Sequence, residues 1–254
     1  MQTENTSRRI AVTGATGRVG SHLVEILAQR GHGVVPIARS KGIDVVSGEG
    51  LGEALVGAET IVDTATGPSP DQEEATAFFT ASARNLQRAG AAAGAKRIVV
   101  VSIIGIDKFQ GGYNAAKVAQ EQTLLEGPLP IAIVRAAQFH EFVGELVGWM
   151  TQDGVAHLPE MRTQLVAARV VAEVLADAAE EQEIENGRIT EVAGPQDERL
   201  ADAAAALFAK RGDSIEIREN RLPGDPDAAA YAEGAALPNP GAKLAGPSFE
   251  EWLA

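Results

Sequence analysis

Three observations predict an α/β fold with a doubly wound parallel sheet. Short runs of Val, Ile and Ala alternate with longer segments of helical periodicity, a pattern that imposes parallel pairing through right-handed crossovers. A turn with three glycines joins the first apolar run to the first helix. The composition is 45% apolar but only 4% aromatic, as expected for alanine-rich helices over a sheet of β-branched strands. At 254 residues the chain suits one domain, 1–254, in which residues from about 139 onward form a small interwoven lobe.

Arg9 to Thr13 reads as the first strand and Arg18 to Arg30 as the first helix, with Val19, Leu23, Ile26 and Leu27 on one face. Gly31-His32-Gly33 ends that helix. Val34 to Ala38 is the second strand, where Pro36 argues against a fully paired central position. Ile43 to Val46 reads as a weak third strand and Glu59 to Thr64 as a fourth. A helix from about Asp71 to Ala93 follows, burying one stripe against the sheet or against a second copy. Arg97 to Ser102 is a continuous Ile-Val run that fits a strand buried on both faces. A helix from about Tyr113 to Leu125 and a strand from Pro130 to Arg135 complete the alternation. Beyond Phe139 the pattern gives helices to about Thr151, over Ala167 to Glu180 and from about Glu198 to Arg211. Strands fall at Arg188 to Ala193 and near Ile215 to Ile217. The Pro- and Gly-rich tail from Leu222 to Pro247 reads as irregular, and Phe249 to Leu253 as a docking turn.

The chain has no cysteine, which excludes disulfides, thiolate metal sites and a cysteine nucleophile. The net charge of −13 disfavours nucleic acid and anionic lipid surfaces as partners. The polar Met1 to Ser7 segment lacks the apolar core of a secretory signal, and the uncharged run Ile98 to Ile106 is too short for a membrane span. The expected compartment is the cytoplasm. His140-Glu141 has no second histidine at metal-ligand spacing, so no metal is expected. Oligomeric state is left open by the sequence.

The glycine turn, Thr13-Gly14-Ala15-Thr16-Gly17-Arg18-Val19-Gly20, runs from strand to helix. In a Rossmann-type turn of this spacing the first glycine permits the tight bend. The second lets the backbone approach a pyrophosphate, and the third packs the helix on the sheet. The helix N-terminus then presents N–H groups and its positive dipole end to the phosphates. At the end of the second strand, where NAD-specific sites carry an acid, stands Arg39, followed by Ser40 and Lys41. Arg39, Lys41 and Arg18 are expected to form an electropositive spot that suits the 2′-phosphate of NADP(H). Ala65, Thr66 and Gly67 after the fourth strand are small enough to lie along the cofactor.

The glycine turn, Val100-Val101-Ser102 at a strand end, Tyr113-Asn-Ala-Ala-Lys117, Ile133 to Phe139 and the closing Phe249 to Leu253 together resemble a short-chain dehydrogenase/reductase of the atypical, NmrA-like branch. The resemblance implies that Ser102 orients a substrate carbonyl, Tyr113 exchanges the proton and Lys117 holds the nicotinamide ribose. Tyr113 and Lys117 stand at i and i+4 and share a helix face. A neighbouring ammonium would draw a phenol of ordinary pKa roughly 10 toward working pH. Gly111 and Gly112 directly precede the tyrosine, so its approach is expected to be a flexible turn. Gln138, Phe139, His140, Phe142 and Trp149 occupy the family's substrate position, suggesting a small apolar or aromatic substrate, with His140 as a polar wall. The expected function is NADP(H)-dependent hydride transfer to or from a carbonyl or quinone-type compound. The resemblance also admits a non-catalytic NADP(H) sensor and an isomerase with bound cofactor.

Overall fold

The computed structural model describes residues 7–221 and 224–254. Most of the Met1–Ser7 segment and the start of the expected irregular tail at Leu222 lie outside the described residues. The chain runs β1 (Arg9–Thr13), α1 (Arg18–Gln29), β2 (Gly33–Ile37), α2 (Leu51–Ala54), β3 (Thr60–Asp63), α3 (Gln72–Ala93), β4 (Arg97–Ile103), α4 (Gly112–Leu125) and β5 (Ile131–Ala136). It continues with α5 (Val143–Trp149), β6 (Thr151–Gln152), β7 (Val155–Pro159), β8 (Arg162–Thr163), α6 (Ala168–Glu180), β9 (Arg188–Ala193) and β10 (Glu198–Arg199). The remaining elements are α7 (Leu200–Arg211), β11 (Glu216–Asn220), α8 (Ala228–Ala232), β12 (Lys243–Leu244) and α9 (Phe249–Leu253).

The central sheet has seven strands in the order β12-β9-β5-β4-β3-β1-β2, all paired in parallel. Period-two alternation divides its side chains between two layers. Ile10 and Val12 of β1 face α1 and α6, whereas Ala11 faces α2 and α3. Pro36 is accommodated because β2 is the edge strand, where a missing N–H leaves no inner ladder unpaired. α3 covers the sheet through Ala83 and Leu86 and is capped by Asp71, whose carboxylate accepts from the N–H groups of Glu73 (2.9 Å) and Glu74 (3.1 Å).

Four expectations are corrected. Ile43 to Val46 is not a strand. The Asp44 carboxylate accepts from the N–H groups of Val46 (2.6 Å) and Ser47 (3.2 Å), and this local Asx bonding curls the segment into turns. The helix expected to reach Thr151 is a 3-10 turn, His140–Phe142, followed by α5. α7 begins at Leu200 because Glu198 and Arg199 pair antiparallel with Thr163 and Arg162. The tail contains α8 and β12, the latter extending the central sheet beside β9.

The lobe is built from two small sheets, β11-β7-β6 and β10-β8, with α5, α7 and α9. Val143, Val147, Leu158, Leu207, Phe208 and Phe249 form its own apolar cluster. Among the described residues, no helix is long and apolar enough to cross a membrane.

Candidate functional site

β2 and β3 leave β1 on opposite sides, so the strand order reverses at the carboxyl end of β1, where ligands bind in doubly wound sheets. The glycine turn stands at that point. Gly14 has φ +62°, and a Cβ on it would lie 2.6 Å from the Thr64 carbonyl oxygen. A Cβ on Gly20 would collide with the Gly14 carbonyl, so α1 can start this close to the sheet only without one. Gly17 differs: it is exposed, has extended backbone, and a Cβ there would meet only the Gly14 carbonyl oxygen at 3.1 Å. The first turn of α1 has no side-chain cap and no acidic residue. Its N–H groups and the open backbone at Gly17 therefore fit the pyrophosphate of a dinucleotide.

Arg18, Arg39 and Lys41, expected to form one electropositive spot, stand on two elements, Arg18 at the start of α1 and the other two in the 3-10 turn after β2. The Arg18 guanidinium pairs with Glu145 of α5 and lies over the Phe142 ring, 5.5 Å from its centroid. It is thus drawn toward the segment after β5. Arg39 and Lys41 occupy an exposed 3-10 turn after the edge strand β2, which pairs with β1. Arg39 alone marks the end of β2, with Lys41 beside it.

On α4, Tyr113 and Lys117 share a face and both rest on Phe79 of α3. The Tyr113 and Phe79 rings meet edge to face at 5.4 Å, and the Lys117 Nζ lies 4.5 Å from the Phe79 centroid. Burial pushes the Tyr113 phenol up to about 12, against the opposite pull of the Thr66 side chain beside it. Lys117 is almost completely buried, and that burial brings its ammonium down to about 8, opposed by the charges of Asp63 and Glu121. Its Nζ donates to the Val101 carbonyl (2.8 Å) and to the Gln120 side chain. The Ser102 hydroxyl is buried beside that carbonyl and has no hydrogen-bond partner among the described residues. Tyr113 and Lys117 thus share Phe79, Lys117 reaches the end of β4 next to Ser102, and no hydrogen bond links the three. α4 is fastened to β5 through the Arg135 guanidinium, which donates to Glu121 (2.9 Å) and Asp107 (2.9 Å).

Sequence reasoning missed the residues that organise this region. The buried Asp63 carboxylate, at the end of β3, accepts from the Thr13 hydroxyl, the Ala65 N–H (3.2 Å) and the Gln120 amide (2.8 Å). Asp63 and Gln120 therefore connect the glycine turn to Lys117. Thr66 is exposed beside Tyr113, and Gly67 packs on Phe78, where a Cβ would approach to 3.0 Å. The turn before Tyr113, expected to be flexible, is held from outside: the Asp227 carboxylate accepts from the N–H groups of Gln110 (2.7 Å) and Gly111 (3.0 Å). The Gln72 side chain accepts from Gly112 N–H (2.8 Å). The only available signals were an acid at the end of a buried strand and an acid in the tail, and neither is diagnostic alone.

The segment after β5 is divided. The Gln138 carbonyl accepts from Val166 N–H (3.0 Å), and Phe139 packs against the core under α1 and α6. Phe142 and Trp149 meet at 5.3 Å, with Trp149 63% exposed, beside Arg18. His140 is not a pocket wall. It is fully buried against the stacked rings of Phe249 and Trp252, each with its ring centroid 5.3 Å away, and desolvation holds its pKa below the ordinary value. The C-terminal helix α9 supplies those two rings and so removes His140 from the solvent.

A family model described as NAD(P)H-binding matches residues 14–182. The chain belongs to that family, in agreement with the resemblance to atypical short-chain dehydrogenases/reductases. An L-arabinose 1-dehydrogenase (NAD(P)(+)) of Haloferax volcanii is 33% identical over 125 residues, which is 46% of this chain and 48% of that protein. The chain spans about half the length of the curated relatives it matches. The WbmH enzyme of Bordetella bronchiseptica, solved with NAD+, superposes with a TM-score of 0.72 at 18% identity, covering 97% of this chain and 96% of that one. An NADPH-dependent quinone oxidoreductase of Escherichia coli superposes with a TM-score of 0.65 at 19% identity, covering 96% and 98%. These two likenesses establish the shared Rossmann-type architecture.

Proposed function

We propose that the chain is an NADP(H)-dependent oxidoreductase acting on a small carbonyl or quinone-type compound. The observation that carries the reading is the Tyr113–Lys117 pair on one face of α4, beside the glycine turn and the exposed Thr66. The nicotinamide, when bound, supplies or accepts the hydride. In the reducing direction the Tyr113 hydroxyl gives its proton to the oxygen of the substrate carbonyl as the carbon is reduced, and bulk water replaces that proton. The buried Ser102 hydroxyl, without a partner among the described residues, would donate to the same oxygen. Lys117 keeps a positive charge one turn from the phenol and would hold the nicotinamide ribose of a bound dinucleotide. The Phe142 and Trp149 rings favour an apolar or aromatic substrate.

Arg39 supports the preference for the 2′-phosphorylated dinucleotide, because it is exposed after β2 and makes no ion pair among the described residues. The neighbours named for NADPH and for NAD+ leave both dinucleotides open within the shared fold. A second reading, a non-catalytic NADP(H) sensor, is favoured by one observation: the phenol is pushed up to about 12 while the ammonium points inward. Steady NADPH consumption with a panel of quinones and carbonyls, abolished in Tyr113→Phe with dinucleotide binding retained, supports the enzyme. Tight NADPH binding without turnover over the panel supports the sensor. NADPH should bind more tightly than NADH, with Arg39→Ala narrowing the difference. Equal affinities in the unmodified protein would remove the NADP(H) assignment.

A further inference from the structure

We infer that Asp227, reaching across from the C-terminal lobe, is the positioning residue for Tyr113, with Gln72 as its second support. The functional consequence rests on the reading of Tyr113 as proton donor; the geometry does not. Tyr113 is the second residue of α4, a helix whose N-cap, Gly111, offers no side-chain cap. Gly112 has φ +60°, so two consecutive glycines leave the start of this helix permissive by itself. N–H groups at a helix start have no partners within the helix. Here three in succession are satisfied by side chains from distant elements: Gln110 and Gly111 by the two oxygens of Asp227, and Gly112 by Gln72.

Asp227 is only 4% exposed, and a buried carboxylate taking two N–H bonds holds them more firmly than a neutral acceptor would. Its own N–H donates to Asp225 (2.9 Å), which fixes the turn that presents it. Neighbouring contacts reinforce the grip. Pro226 lies where a Cβ on Gly111 would approach to 3.0 Å, and the Asn114 amide donates to the Tyr231 hydroxyl (2.7 Å). The Tyr231 ring in turn lies 4.5 Å from that of Phe109. The segment 226–231 therefore clamps both flanks of Tyr113, and the phenol stays under Phe79 because its backbone cannot swing away.

The chain has two tyrosines, so a Tyr231→Phe background leaves Tyr113 as the single phenol for titration by ultraviolet absorbance; because it also removes the Asn114–Tyr231 bond, its own midpoint is the reference for the further variants. The groups facing it are Phe79, Thr66, the Asp63 carboxylate and Lys117 one turn along. Asp227→Asn and Asp227→Ala in that background should lower its midpoint from about 12 toward the ordinary value of roughly 10, as the loosened turn lets water in. The Kd for NADPH should stay within about twofold and kcat should fall at least about tenfold, as for an interaction made only in the transition state. Gln72→Ala, at an exposed position of α3, should give a smaller shift in the same direction. A midpoint that stays near 12 in the Asp227 variants overturns the inference. If those variants do not fold, an unmoved midpoint in Gln72→Ala overturns it equally. Turnover surviving in Tyr113→Phe would instead overturn the proton-donor reading, whatever the titration gives.

Discussion

Gly14, Gly17 and Gly20 are distinguished by what a methyl group would meet. At Gly20 it would strike the Gly14 carbonyl and approach the Thr64 hydroxyl to 2.8 Å, both parts of the sheet end that cannot retreat. Gly20→Ala should therefore cost about 1–3 kcal/mol of stability, the range for overpacking a tight contact. At Gly17 the backbone is extended at φ −82°, which any residue adopts, and the methyl would meet only the Gly14 carbonyl oxygen, at 3.1 Å. Gly17→Ala should keep the melting temperature within a degree or two while weakening dinucleotide binding at least about tenfold, through loss of close backbone approach. Calorimetry of the variants, with and without NADPH, separates the two effects. A Gly17→Ala protein that binds NADPH as the parent does would move the dinucleotide off this turn.

At the scale of elements, α4 is held by charges as much as by packing, and Lys117 sets a pH dependence. The unfolded chain keeps the lysine proton to about pH 10.5, whereas burial makes the folded protein release it near 8. Between those values the unfolded state binds more protons, so stability rises with pH. Below pH 8 the penalty is complete and on the order of 3 kcal/mol. Tyr113 acts oppositely above pH 10, where the folded phenol keeps a proton that the unfolded one gives up. Urea unfolding of Lys117→Met should lack the rise that the parent protein shows between pH 8 and 9.5. Equal slopes would mean that the ammonium is not held down. This network also marks the limit of what the sequence reveals. β1, β4 and α3 were legible because period and capping are local, as with Asp71 two and three residues from its donors. Ile43 to Val46 misled because an Asx turn outcompeted a short apolar run without a partner strand. Asp63 with Gln120 spans 57 positions and Gln110 with Asp227 spans 117, so only the fold reveals their pairing. The Arg18–Glu145 pair was hidden for the same reason, since Glu145 lies far along the chain.

For the whole molecule the decisive quantity is the net charge of −13. Surface ion pairs such as Lys96–Glu59, Arg162–Asp197 and Arg221–Glu160 are exposed, and each is worth at most about 1 kcal/mol. Arg135–Glu121 is buried and responds little to salt. Added salt therefore weakens two opposing contributions, the modest surface pairs and the self-repulsion of the acidic excess. The repulsion grows with the square of the net charge and relaxes when the chain expands, so it dominates. Raising NaCl from about 0.05 to 0.5 M, which shortens the screening length roughly threefold, should stabilise the fold by about 2 kcal/mol. For a chain of this size that corresponds to a rise of roughly 5 °C in melting temperature. The same excess would repel an anionic dinucleotide at long range, and under the proposed function its capture would fall to the short-range donors of the glycine turn and Arg39. A melting temperature that falls with salt in the absence of ligand would mean that the surface pairs outweigh the repulsion, and that the acidic surface is locally compensated.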